Sequence, residues 1–256
     1  MAGVRAPSAG TIGRGMTTVA AEVLQWGWER ARTGPWRGDG EIAYLAPLAP
    51  AGAPSVEFLH RCLDTLTARG FTQVVTSALA PAEQVGFHAV GFEEYERLHL
   101  LSHDLVDVPR PAKESRQLLR RGRSTDWPSI LAVDAAAFSA FWRLDQGGLR
   151  EAIEATPVTR LRVAGSRGGS GLLAYAITGL SADQGYLQRL AVDPRHRRTG
   201  LGRALGLDGL RWLQRKGASG AVVNTQLGND AALALYLSLG FRRERAQLAV
   251  LHRRLG

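Results

Sequence analysis

The residues best placed for chemistry lie in the string LAVDPRHRRTGLGRAL, residues 190–205. An apolar run ends at Val192, Asp193-Pro194 turns the chain, and a basic loop leads to Gly200-Leu201-Gly202, which opens a second apolar run. A helix start reached this way presents unpaired backbone N–H groups, reinforced by the positive end of the helix dipole. Glycines there let the main chain touch a phosphate with no Cβ in the way. Arg197, Arg198 and Arg203 can add charge-assisted bonds to phosphate oxygens. The chemistry favoured is the gripping of a diphosphate. The glycine spacing is neither that of the phosphate loop G-x-x-x-x-G-K-[ST] nor the dinucleotide fingerprint G-x-G-x-x-G. A surface turn with solvated arginines is the bland alternative.

The elements that must position this loop follow from periodicity and turn residues. Residues 18–32 read as a helix, 41–48 as a strand, and 55–69 as a helix with Ser55 as N-cap and Gly70 at its end. A strand at 71–77, a short helix and a strand at 95–104 follow. Residues 107–114 are polar and carry two prolines, which reads as a linker. Beyond it come a strand at 116–121 and a helix capped by Thr125 or Asp126, with Pro128 in its first turn, running to Phe138. Next are a helix at 148–155 and strands at 160–164 and 172–178 joined by a hairpin turn over 166–171. A strand at 186–192 precedes a helix at 201–216 stopped by Gly217. A strand at 221–226, a helix at 229–238 and a final hairpin or long strand complete the chain. Strand–helix–strand alternation over 186–226 implies a parallel crossover.

The segment VVTSALAPAEQVGFHAVGF (74–92) can be laid on VVNTQLGNDAALALYLSLGF (222–241). This brings Gly91-Phe92 onto Gly240-Phe241 and Phe87 onto Tyr236, and suggests two related modules. The expected organisation is disorder over 1–15, a smaller module over 16–106, the linker 107–114, and a working domain over 115–256.

Composition bounds the rest. Of 256 residues, 45% are hydrophobic and 21% charged, so a buried core is expected. Cys62 is the only cysteine, which excludes an intrachain disulfide and a cysteine metal cluster and fits a reducing compartment. No apolar run approaches the ~18 residues of a membrane span, and the first fifteen residues lack the apolar centre of a signal peptide. A cytoplasmic protein with no membrane partner is expected. The net charge is +9, nearly all of it arginine. That raises a nucleic-acid reading centred on the RHRR run at 195–198, but stacking aromatics are not interleaved there. A nucleic-acid partner is not expected.

The string Arg197-Arg198-Thr199-Gly200-Leu201-Gly202, after Val192-Asp193-Pro194, resembles the acyl-CoA-binding signature R/Q-x-x-G-x-G/A of the GNAT acetyltransferase superfamily. The similarity runs over about 113–241: TDWPSILAVDAAAF resembles the family's first helix and GNDAALALYLSLGF its last. Within the superfamily the spacing is most similar to the ribosomal-protein N-terminal acetyltransferases, and the tandem layout resembles mycothiol synthases. The resemblance implies an α/β (α+β) fold, with a GNAT-type mixed sheet flanked by helices and a smaller, degenerate GNAT-like N-terminal module.

It also implies roles. Leu190, Ala191 and Val192 would pair with the pantetheine arm of acetyl-CoA and polarise its thioester. Arg197, Arg198, Thr199, Gly200, Leu201, Gly202 and Arg203 would hold the diphosphate, and Asn229 would bond the cofactor as well as cap its helix. Tyr236 matches the family's general acid, and no metal is implied. The acceptor would be a primary amine on a small molecule or a protein. Where the ribosomal-protein enzymes carry a base, Asn224 stands here and cannot accept a proton. Asp183 is a candidate replacement or a solvated turn residue, and His196 and His252 read as non-catalytic. The N-terminal module has no Arg-x-x-Gly-x-Gly, and Phe87 has no hydroxyl, so one acetyl-CoA per chain is expected. That module would then serve as structure or as one wall of an acceptor cleft, with loops 138–146 and 180–185 forming other parts. A CoA-binding sensor or scaffold without turnover is the competing reading.

Overall fold

The computed structural model describes residues 22–48, 53–165 and 171–256. Alternation at every second position shapes its beginning. Leu24, Ala31 and Thr33 are buried while their neighbours are not all covered. Strands β1 (Glu22–Trp26) and β2 (Glu29–Pro35) therefore form a hairpin. This corrects the helix expected over 18–32. Pairing of β2 with β3 (Ile42–Pro47) overrides the helix propensity of the Ala and Glu residues. Residues 18–21, like 1–15, lie outside the described residues.

Helix α1 (Val56–Ala68) buries Phe58, Leu59, Cys62, Leu63 and Leu66 along one stripe, and its Ser55 N-cap accepts from Phe58 N at 3.1 Å. Strand β4 (Gln73–Thr76), helix α2 (Pro81–Ala89) and strand β5 (Glu93–His103) complete the first half. A helical turn, α3 (Lys113–Arg116), leads to β6 (Leu119–Arg121), so the strand expected over 116–121 begins three residues late. Helix α4 (Trp127–Ala137) follows a 3-10 turn at Ser124–Asp126. Asp126 does not cap it through its side chain; the carboxylate is held by the Arg120 guanidinium at 2.6 and 2.7 Å and by Arg123 N at 2.8 Å. Then come α5 (Gln146–Glu154), β7 (Val158–Gly165), β8 (Leu172–Ser181), β9 (Gln184–Val192), α6 (Leu201–Arg215), β10 (Gly220–Gln226), α7 (Asp230–Ser238) and a single long strand, β11 (Arg242–Arg254). Of the hairpin turn expected at 166–171, residues 166–170 lie outside the described residues.

The eleven strands among the described residues form one mixed sheet in the order β1-β2-β3-β4-β11-β5-β10-β9-β8-β7-β6. The order is two-fold symmetric about the β11–β5 pair. On each side an antiparallel neighbour comes first (β4 or β10), then a parallel one (β3 or β9), then an antiparallel hairpin (β2-β1 or β8-β7). The halves exchange their last strands: β5 of the first lies against β10, and β11 of the second against β4. The repeat seen in the sequence is thus a repeat of topology. Gly91 and Gly240 occupy matching left-handed positions, φ 82° and 97°, at the ends of α2 and α7. The second half adds α3, β6, α4 and α5, which have no counterpart among the described residues of the first.

Candidate active site

The site is built where two neighbouring strands part. β9 and β10 pair in parallel only over 184–186 against 220–222. Beyond that they diverge, and residues 187–192 are paired with β8 on one edge alone. A bulge at Gln188, where the β8 register shifts, accompanies the divergence. The wedge opens into a cleft of about 1090 Å³, lined by Leu190, Ala191 and Val192 of β9 and by Gln226 at the end of β10.

Two helix N-termini face this cleft. The turn after Val192 is fixed by Asp193, whose carboxylate accepts from Arg195 N at 2.9 Å and from the Arg195 guanidinium at 2.8 and 3.1 Å. These bonds hold the Asp193 carboxyl down at about 2. Arg198 and Gly200 then adopt left-handed conformations, φ 65° and 84°, and Gly200 caps α6. Among the described residues, the backbone N–H groups of Arg198, Thr199, Gly200, Leu201, Gly202 and Arg203 have no acceptor. At Gly202 a Cβ would come within 3.2 Å of Leu235 Cδ2, so the glycine keeps the loop close to α7. Asn229 caps α7, its Oδ1 accepting from Ala232 N at 3.2 Å.

Arg197, Arg198, Gly200, Leu201, Gly202, Arg203 and Asn229 all line the cleft, as do Leu190, Ala191, Val192 and Tyr236. Thr199 does not; its hydroxyl donates to the His196 carbonyl at 2.7 Å and braces the loop from behind. Arg203 is partly engaged, donating to Ser238 O at 2.6 Å. Of the RHRR run, Arg195 is tied to Asp193, whereas His196, Arg197 and Arg198 face the cleft. Unpaired amides with two neighbouring guanidinium groups suit a diphosphate better than a duplex backbone.

Tyr236 is buried on α7, edge-on to Phe241 with ring centroids 5.8 Å apart. Burial pushes its phenol up to about 12, with Arg189 pulling weakly the other way. The phenol therefore stays protonated at neutral pH. Asn224 is exposed and outside the lining residues. Asp183 sits in the exposed turn between β8 and β9, where its carbonyl accepts from Ser219 N at 2.8 Å. Of the two loops expected near the acceptor, the one after α4 lines the cleft through Phe138, Ser139, Phe141 and Trp142, while residues 180–185 do not. Among the described residues, no helix is long and apolar enough to cross a membrane. Nor is any group of three His, Cys, Asp or Glu side chains gathered to hold a metal.

Residues 136–241, which hold the wedge, the glycine turn and Tyr236, match the acetyltransferase (GNAT) family. The chain carries a GNAT acetyltransferase domain. The chain is similar to the [ribosomal protein bS18]-alanine N-acetyltransferase of Escherichia coli K12, 41% identical over 70 residues, 27% of this chain and 47% of that enzyme. This chain therefore spans about half the length of that relative. It is also similar to the mycothiol acetyltransferase of Nocardia farcinica, 29% identical over 234 residues, 79% of this chain and 77% of that one. Among solved structures, a tandem GNAT protein from the clavulanic acid biosynthesis pathway superposes with a TM-score of 0.68. It covers 94% of this chain and 84% of its own at 12% identity, a likeness of fold alone.

Two cleft residues come from outside the GNAT match. Tyr95 and Glu96 line the cleft from β5 of the first half. The sequence repeat aligned β5 with the last strand of the domain, and that alignment was the available signal. Nothing local shows that β5 crosses over to β10.

Proposed function

We propose that the chain transfers the acetyl group of acetyl-CoA to a primary amine by direct attack within a ternary complex. The observation that carries this reading is the junction of the acceptor-less amides of Arg198, Gly200, Leu201, Gly202 and Arg203 at the α6 entrance with a protonated, buried Tyr236 in one cleft. The diphosphate of CoA would lie against those amides with Arg197 and Arg198. The pantetheine arm would run along the open edge of β9, where the main-chain groups of Leu190 and Val192, flanking Ala191, can pair with it and polarise the thioester carbonyl. The amine attacks that carbonyl, a C–N bond forms and the C–S bond breaks. Tyr236 then gives its proton to the departing sulfur, a role that typically contributes ~10²–10⁴ in rate.

The test is calorimetry with acetyl-CoA, paired with free-thiol release on pooled primary amines. The expected result is one bound acetyl-CoA per chain and amine-dependent thiol release. Gly200→Val forces a β-branched residue to positive φ and is expected to weaken acetyl-CoA at least tenfold. Gly200→Asn, which tolerates that conformation, is expected to weaken it less. A chain with no measurable affinity for acetyl-CoA would end the reading.

A further inference from the structure

Glu96 is the only acidic side chain among the described residues lining the cleft. A register shift between Val250 and Leu251 leaves Tyr95 as an extra residue in β5, and Tyr95 and Glu96 both reach the cleft. The Glu96 carboxylate accepts from Trp142 Nε1 at 2.7 Å, leaving further acceptor capacity free. Tyr95 stacks on Phe141 with centroids 4.3 Å apart, and Trp142 meets Phe141 edge-on at 5.1 Å. This wall is held from behind. Trp36 of the first half donates to the Phe141 carbonyl at 3.0 Å, and Arg189 donates to the Trp142 carbonyl at 2.7 Å. Of the nearby cations, Arg189 is paired with buried Asp134 at 2.7 Å, and Arg37 lies over the Trp36 ring.

One carboxylate beside three aromatic rings is a setting for an ammonium group with flat or apolar surroundings. We propose that Glu96, supplied by the N-terminal half, binds the acceptor's ammonium group and takes its first proton, with Tyr95, Phe141 and Trp142 forming the pocket around it. The inference rests on the acetyl-transfer reading and supplies the base that Asn224 cannot be. Burial raises the Glu96 carboxyl above its ordinary range, partly offset by the Trp142 bond, which makes it a better proton acceptor. The protons balance. One leaves the ammonium for Glu96 before attack and passes on to solvent. A second leaves nitrogen as the C–S bond breaks, replacing the proton that Tyr236 gives to sulfur. The third stays on the amide. Acceptors carrying a carboxylate next to the amine would be repelled by Glu96.

The test titrates phenylethylamine, phenylalanine amide and phenylalanine into the full chain by calorimetry, with and without coenzyme A, for wild type and Glu96→Gln. The two carboxylate-free amines are expected to bind the wild-type chain and phenylalanine at least tenfold more weakly. Glu96→Gln should lose at least tenfold in amine affinity while its coenzyme A affinity stays within twofold. With any amine that wild type turns over, kcat should fall at least a hundredfold. Equal amine binding by Glu96→Gln, or no amine binding by wild type, overturns the proposal even if coenzyme A binds. Failure of coenzyme A binding strikes the acetyl-transfer reading instead, and the amine titration run without it still decides the pocket.

Discussion

Phe87 and Tyr236 occupy equivalent places in the two halves of the sheet. Each is a buried ring near the end of a helix, packed edge-on against the aromatic residue after a left-handed glycine. Phe87 meets Phe92 at 5.1 Å, and Tyr236 meets Phe241 at 5.8 Å. The main chain closes identically, Phe92 N donating to Phe87 O at 3.0 Å and Phe241 N to Tyr236 O at 3.1 Å. The packing role therefore needs only the ring. Among the described residues the Tyr236 hydroxyl makes no hydrogen bond, and the cleft is where it is available. Tyr236→Phe is expected to change stability by less than ~0.5 kcal/mol and to leave acetyl-CoA affinity intact, while turnover falls ~10²–10⁴-fold. Unchanged turnover in a thiol-release assay would remove the acid role.

The same burial sets a pH signature. Tyr236 is raised to about 12, chiefly by desolvation, so the donor form is present well past the ordinary tyrosine range. A raised folded value means that the neutral phenol favours the fold fully below the unfolded value of ~10 and that this contribution is lost as pH rises through the folded one. The rate is expected to show no alkaline limb from this group below pH ~11. A limb near 10 in the kcat profile that disappears in Tyr236→Phe would contradict the assignment.

Asp134 is fully buried and serves four donors: Tyr175 Oη, Leu144 N at 2.7 Å, and Arg189 Nε and Nη2 at 2.9 and 2.7 Å. Arg189 also lies 3.6 Å over the Phe138 ring and bonds the Trp142 carbonyl. Removing the carboxylate strands a buried guanidinium and releases the 138–142 wall. Asp134→Ala is expected to cost about 3–5 kcal/mol in denaturant unfolding, with a rise in KM for amines at temperatures where the variant remains folded. A loss under ~1 kcal/mol would show that water takes over the pairing.

Because β5 and β11 are exchanged, neither half has a complete sheet alone. Residues 22–106 would lack the strand between β4 and β5, and 113–256 the one between β10 and β11. The two pieces expressed separately are expected to aggregate or remain unfolded through their open strand edges. Co-expression should return a soluble pair with near-native circular dichroism. Independent cooperative unfolding of either piece would refute this account of the exchange.

What the sequence determined by itself was local. The strand, turn and helix of 190–205 are contiguous, and their glycines and Asp193-Pro194 act within a few residues, so the glycine turn and the helix it opens could be read before any partner was known. The helix ends at Ser55 and Gly217 and the repeat of 74–92 in 222–241 were legible for the same reason. The tertiary structure decided whatever depends on which strand lies beside which. Residues 22–35 became a hairpin because β3 was there to pair with them. Tyr95 and Glu96 entered a cleft some 140 residues away in sequence from Tyr236 because β5 crosses to β10. Asp134, Tyr175 and Arg189 met in the core only once β8 and β9 packed under α4. Strand pairing uses backbone groups that every residue carries alike, so the choice of partner is written in the whole sheet and not in the strand itself.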